Sequence, residues 1–119
     1  MRDYKKLEVW KLSHELTINI YEVTKRFPKD EQFGLASQIR RACVSVTSNI
    51  VEGATRKSVI DYLRFLRISL GSLKEAGYHV DLSLELGYLT KGDFESISKK
   101  CDETSAKLFR LICALEKLR

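Results

Sequence analysis

Apolar residues recur at intervals of three and four along the whole chain, and no stretch alternates with period two. The pattern therefore predicts helices and no strand. A first helix is predicted from about Leu7 to Arg26, with Leu7, Trp10, Leu16, Ile20 and Val23 or Phe27 in step, and Pro28 stops it. A second is predicted from about Glu31 to Gly53, where the glycine is a natural C-terminal stop. Ser58-Val-Ile-Asp61 is a box-like start for a third helix, which continues to about Leu86, beside Gly87. Inside it Gly71 and Gly77 each cost ~1 kcal/mol against Ala, which suggests close packing or a kink. Thr90-Lys-Gly-Asp93 starts a fourth helix, which carries Phe94, Ile97, Cys101, Leu108, Leu111, Ile112 and Leu115. The connections are short, so successive helices are expected to be antiparallel neighbours. The pattern reads as one all-α domain over residues 1–119, an antiparallel up-down four-helix bundle.

A helix turns ~100° per residue, so the faces of the two central helices can be projected. On the second helix Leu35, Ile39, Cys43, Val46 and Ile50 share a core stripe. Beside it runs a polar edge of Gln38, Arg41, Ser45, Asn49 and Glu52. Solvated edges are usually built from Lys and Glu, whereas Gln, Ser and Asn are poorer helix formers, favoured where space is tight and partners are specific. The edge reads as an ordinary surface, as a buried or interfacial polar layer, or as a ligand site.

The third helix is apolar on two sides. Val59, Tyr62, Leu63, Leu66, Leu70, Leu73, Val80 and Leu84 form one arc; Ile68, Leu82 and Leu86, with Gly71, Glu75 and Tyr78, lie opposite. Such a helix is central in its fold or covered by another subunit. Arg56, Arg67 and Lys74 project into one narrow arc, with Arg64 close to it and Lys57 further round. This is a solvated charged edge or a basic stripe that meets phosphates.

Composition narrows the class without naming a role. The 119 residues are 44% hydrophobic and 31% charged, with one Pro and six Gly, as in a globular domain able to bury a core. A net charge of +5 permits a nucleic-acid partner without requiring one. Cys43, Cys101 and Cys113 form no CxxC and each falls within a helical pattern; three reduced, mostly buried thiols in a cytoplasmic protein are expected. The start MRDYKKLEVW has no apolar signal region, and no apolar run approaches the ~18 residues of a membrane span.

Catalytic patterns are scarce. His14-Glu15 opens like HExxH, but position 18 is Ile; His79 has no acidic or Cys partner at ligand spacing. There is no GxSxG, Walker A or GxGxxG, and Ser96-Ile-Ser-Lys99 is too short a pattern to weigh. No metal, cofactor or enzymatic activity is expected.

Leu7-Glu-Val-Trp10, Phe27-Pro28, Gly34-Leu35, Gln38-Ile-Arg-Arg-Ala42, Ser45-Val-Thr-Ser-Asn-Ile-Val-Glu-Gly53, Arg56, Phe65-Leu66, Gly71-Ser-Leu-Lys-Glu75 and Leu86-Gly-Tyr88 form a long, specific combination. In these residues the chain resembles the bacterial four-helix-bundle family first noticed as proteins encoded in intervening sequences of 23S ribosomal RNA genes. The accessory protein of diversity-generating retroelements is related to that family. The likeness covers residues 4–90 and is weaker in the fourth helix. Thr47 stands where the family often has Pro, which should straighten the second helix, and Val51 stands where Ala is common.

The resemblance implies a small all-α bundle; some members assemble as homopentameric rings. The retroelement relatives bind nucleic acid and a reverse transcriptase through basic surfaces, a role that does not map onto the shared motif residue by residue. What transfers is Gln38, Arg41, Ser45, Asn49, Glu52, Ser72 and Glu75 as structural or assembly residues, with Arg41 pairing to Glu52 or Glu75 across helices or subunits. Two expectations follow. One is a self-associating ring that binds structured RNA, an RNA–protein complex or DNA through Arg56, Lys57, Arg64, Arg67 and Lys74. The other is a protein–protein adaptor, for example for a reverse transcriptase, with no affinity of its own for nucleic acid.

Overall fold

The structure, a computed structural model, describes residues 2–119. It contains helices α1 (Glu8–Thr24), α2 (Leu35–Ala54), α3 (Val59–Glu85) and α4 (Lys91–Glu116), with 3-10 turns at Tyr4–Lys6 and Lys29–Glu31, and no strand among the described residues. Both box-like starts form: the Ser58 hydroxyl accepts from the Asp61 amide at 3.1 Å and the Thr90 hydroxyl from the Asp93 amide at 3.0 Å. Each cap satisfies an amide that the first helical turn leaves without a partner.

Three local expectations need correction. The second helix begins at Leu35 rather than Glu31, because Gly34 leaves helical geometry (φ −106°, ψ −114°) and Pro28 directs the preceding turn. Glu31 caps the helix from outside: its carboxylate accepts from the Leu35 amide at 3.0 Å. Gly53 does not stop α2, which runs on through Ala54; its role is steric and is described below. α3 runs unbroken through Gly71 and Gly77, and a Cβ on either would meet no atom within 4 Å, so close packing does not require glycine at either position. The glycine that does set a boundary is Gly87, at φ +79°. Its amide bonds to the Leu84 carbonyl at 3.0 Å and the Tyr88 amide to Ser83 at 2.9 Å, the paired bonds of a Schellman C-cap.

α1 and α3 each pack on both α2 and α4, while the pairs α1/α3 and α2/α4 make no close backbone approach. The stripe expected for α2, Leu35, Ile39, Cys43, Val46 and Ile50, is buried throughout. From α3 come Tyr62, Leu63, Leu66, Leu73 and Val80, and from α4 Ile97, Cys101, Leu108 and Ile112. Each such side chain contributes about 1.5–3 kcal/mol of burial free energy.

The cysteines are free, with Cys43 and Cys101 in the core and Cys113 half-buried. Burial, reinforced by the neighbouring Cys101, pushes the Cys43 thiol up to about 12; burial and then Asp102 and Asp81 push Cys101 up to about 11. Thiolate is the reactive form, so these two are shielded both sterically and chemically. In the native protein at pH 8, a maleimide should add once, at Cys113, and three times after urea unfolding, as read by intact mass. Two native adducts would show that the core opens on the labelling timescale.

Among the described residues no helix is long and apolar enough to cross a membrane.

Candidate functional site

The seam between α2 and α3 is built from small residues. Ser69 is fully buried, and its hydroxyl donates across the seam to the Val46 carbonyl at 2.8 Å. The Ser45 and Ser72 hydroxyls meet at 2.8 Å. Asn49 donates through Nδ2 to the Ser45 carbonyl at 2.8 Å and to its hydroxyl at 3.1 Å. At the end of the seam a Cβ on Gly53 would lie 3.0 Å from Phe65 Cβ and from Tyr62 Cδ1, a tight contact that α3 would have to yield to.

The predicted polar edge therefore divides in two. Ser45, Asn49 and Ser72 form one half-buried network that ties α2 to α3. Gln38 and Arg41 are exposed and make no side-chain hydrogen bond or ion pair among the described residues. The pairing of Arg41 with Glu52 or Glu75 does not form within the chain. Arg41 and Glu52 are eleven residues apart on one helix, about 16 Å along its axis. Glu52 instead bonds Arg56 at 2.6 Å, and Glu75 bonds His79 Nε2 at 3.1 Å. His79 thus has an acidic neighbour one turn away, contrary to expectation, and is itself buried, with Nδ1 unpartnered. Among the described residues no three His, Cys, Asp or Glu side chains converge as metal ligands do.

The five candidate nucleic-acid contacts are dispersed. Arg56 lies in the connection before the Ser58 cap, outside α3, so the helical projection that aligned it with Arg67 and Lys74 does not apply. Its guanidinium covers the Phe65 ring at 4.6 Å while bonded to Glu52. Arg64 reaches the same ring at 5.0 Å; Arg64 and Lys57 are exposed and have no carboxylate partner. Arg67 and Lys74 turn toward α4 instead. Arg67 pairs with Glu116 at 2.6 Å, and Lys74 donates to the Ser105 hydroxyl at 2.9 Å. Beside Lys74 a groove of about 340 Å³ opens between α3 and α4, where Gly77, Ser98 and Ser105 keep the helix faces low.

Arg2 escaped the sequence reading. Its backbone amide donates to the Ala54 carbonyl at 3.3 Å, Nη1 donates to the Arg56 carbonyl at 2.6 Å, and the guanidinium covers the Tyr62 ring at 4.2 Å. These contacts clasp the N-terminal segment to the α2–α3 connection, and no local pattern signals them. Ser69 was within reach: its position between Leu66 and Leu73 lies in the core register, but its residue type argued against burial.

Two comparisons bear on this arrangement. A crystal structure of a protein of unknown function from the S23 ribosomal protein family of Bacteroides thetaiotaomicron superposes with a TM-score of 0.81 at 28% identity, covering 87% of this chain and 94% of that one. No curated protein matches the chain. The family described as 23S rRNA-intervening sequence protein matches residues 5–110, a span that takes in the α2–α3 seam and all five candidate cations; the chain belongs to that family.

Proposed function

We propose that the protein is a non-enzymatic, self-associating helical protein of the cytoplasm that binds structured nucleic acid, RNA or an RNA–protein complex, through a basic surface. The observation that carries this reading is the availability of its cations. Lys57 and Arg64 are exposed and free of carboxylates, and the Arg67–Glu116 pair is exposed on both sides, a kind of pair that contributes about 0–1 kcal/mol and yields readily to a phosphate. The non-enzymatic part rests on the dispersal of His14, His79 and the cysteines, and on core thiols that keep their protons.

The helices are read as an antiparallel up-down bundle. Arg26, just beyond α1, meets Asp93 in the first turn of α4, and Arg67 near the start of α3 meets Glu116 at the end of α4. The bundle is read as the unit of a homo-oligomeric ring, a pentamer. Ile68 and Tyr78, 46% and 62% exposed, share a face of α3 with Gly71, where nothing in the chain fills the space. Exposed Gln38 and Arg41 favour a second reading, an adaptor that docks a protein such as a reverse transcriptase and has no nucleic-acid affinity of its own.

Light scattering at micromolar concentration should give five 13.7 kDa chains, about 69 kDa. A labelled RNA hairpin should shift at ~50 mM salt and be released as salt rises. A mass of one chain would overturn the ring. The absence of a shift at low salt, with a protein captured through Gln38 and Arg41, would replace nucleic-acid binding by the adaptor reading.

A further inference from the structure

We infer that nucleic acid is gripped by one end of the helical body, through its phosphate backbone and without reading bases; this rests on the nucleic-acid reading above and locates its contact. Three stretches converge at that end. Arg2 is bound to Ala54 and Arg56; Leu7 and Glu8 line one hollow with Lys107 and Arg110; Arg67 holds Glu116.

Charge is concentrated there. Residues 2–14, 48–70 and 107–119 carry 12 of the 21 Lys and Arg but 5 of the 16 Asp and Glu, a net +7; the remaining 9 cations and 11 acids leave −2. Of those 12 cations only Arg56 and Arg67 have a carboxylate within ion-pair distance among the described residues. The body measures 23 by 20 Å in cross-section. Screening acts over about 8–10 Å, so the fields of neighbouring cations on such an end overlap and add. A duplex offers one negative charge per ~1.7 Å, a density suited to that field.

Most of the aromatic rings at this end are already occupied; Phe109, 57% exposed, is the open one. Arg2 covers Tyr62 at 4.2 Å, and Arg56 and Arg64 approach Phe65 at 4.6 and 5.0 Å. Trp10 packs against Tyr4 at 5.0 Å and His14 at 4.9 Å. Single-strand binders need open rings on which bases stack. Here Tyr62 and Phe65 hold arginines, Trp10 holds Tyr4 and His14, and lone Phe109 makes no platform for successive bases, while Lys5, Lys6, Lys57 and Lys117 stand exposed at the same end. The chemistry on offer is a set of point charges for phosphates, indifferent to sequence.

The test compares two charge reversals of equal size. One changes Lys5, Lys6, Lys57 and Lys117 to Glu; the other changes Lys25, Lys29, Lys91 and Lys99, exposed and outside that end, to Glu. A mixed-sequence 24-base-pair duplex is the probe. With about five phosphates engaged, wild-type affinity should fall ~500-fold between 50 and 200 mM salt. It should differ less than about threefold between A·T and G·C duplexes, since backbone contacts carry no base information. The first variant should lose about 100-fold or more at low salt, and the second less than about fivefold, since only the first removes the clustered phosphate contacts. Equal losses, or a larger loss in the second variant, would overturn the placement while leaving nucleic-acid binding intact. A wild type that binds no duplex or hairpin would sink both readings; pelleting with phosphatidylserine vesicles in that case would identify a membrane surface instead. If the first variant fails to fold, wild-type lysine acetylation decides: duplex should protect Lys5, Lys6, Lys57 and Lys117, and protection confined to the other four would overturn the inference.

Discussion

Replacing Ser69 with Leu should destabilise the protein by about 3 kcal/mol, the sum of an overpacking strain of ~1–3 kcal/mol and a lost hydrogen bond of ~1 kcal/mol. Ser69 has no exposed surface, and its hydroxyl spans the seam to Val46 at 2.8 Å. A leucine there must push α3 away from α2, and the Ser45–Ser72 contact at 2.8 Å would break with it. Ser69→Ala removes only the hydrogen bond and should cost about 1 kcal/mol. The ratio between the two variants separates sterics from hydrogen bonding. Urea titrations followed by circular dichroism measure both; a leucine variant within about 1 kcal/mol of wild type would show a seam loose enough to accept bulk.

Tyr62→Ala should cost about 4 kcal/mol, in the range of aromatic truncations in cores. The side chain is 2% exposed and among the largest in the interior. Its ring also carries the Arg2 guanidinium at 4.2 Å, so truncation removes part of the clasp on the N-terminal segment. Trypsin should then cut after Lys5 or Lys6 well before it attacks the helices. Tyr62→Phe keeps the ring, and the hydroxyl makes no hydrogen bond among the described residues, so this variant should stay within about 1 kcal/mol of wild type and resist the early cut. Early cleavage in the Phe variant would mean that the clasp does not depend on the ring.

The four helices were legible because their core stripes follow helical period and their starts carry hydroxyl caps. The α2 stripe and the caps at Ser58 and Thr90 agree with the structure residue by residue. The second face of α3 was legible in part: Ile68, Tyr78 and Leu86 are exposed, while Leu82 packs against the core. Buried polar residues were not legible. Ser13, Thr17, Thr24, Ser83 and Thr104 all lie inside, and each hydroxyl donates to a carbonyl three or four residues back in its own helix. That bond removes the penalty of burial locally, so the residue type gives no sign of it. The basic stripe failed as a projection for a different reason: Arg56 was counted on a helix that begins three residues later. The clustering of charge at one end escaped because it arises from three stretches far apart in sequence.

The two sides of α3 give the same amino acid opposite meanings. Toward α2, Ser72 meets Ser45 and Ser69 meets the Val46 carbonyl, and with Gly53 they set how near the backbones come. Toward α4, Ser98 and Ser105 border the open groove beside Gly77, where added atoms meet empty space. If both sets were randomised and selected for folding, the α2 side would return almost only small residues, and the α4 side many sizes. The information content of a serine in this protein is thus set by which neighbour it faces, and an evolving lineage could vary the rim of the α3–α4 groove while the α2 seam stayed frozen.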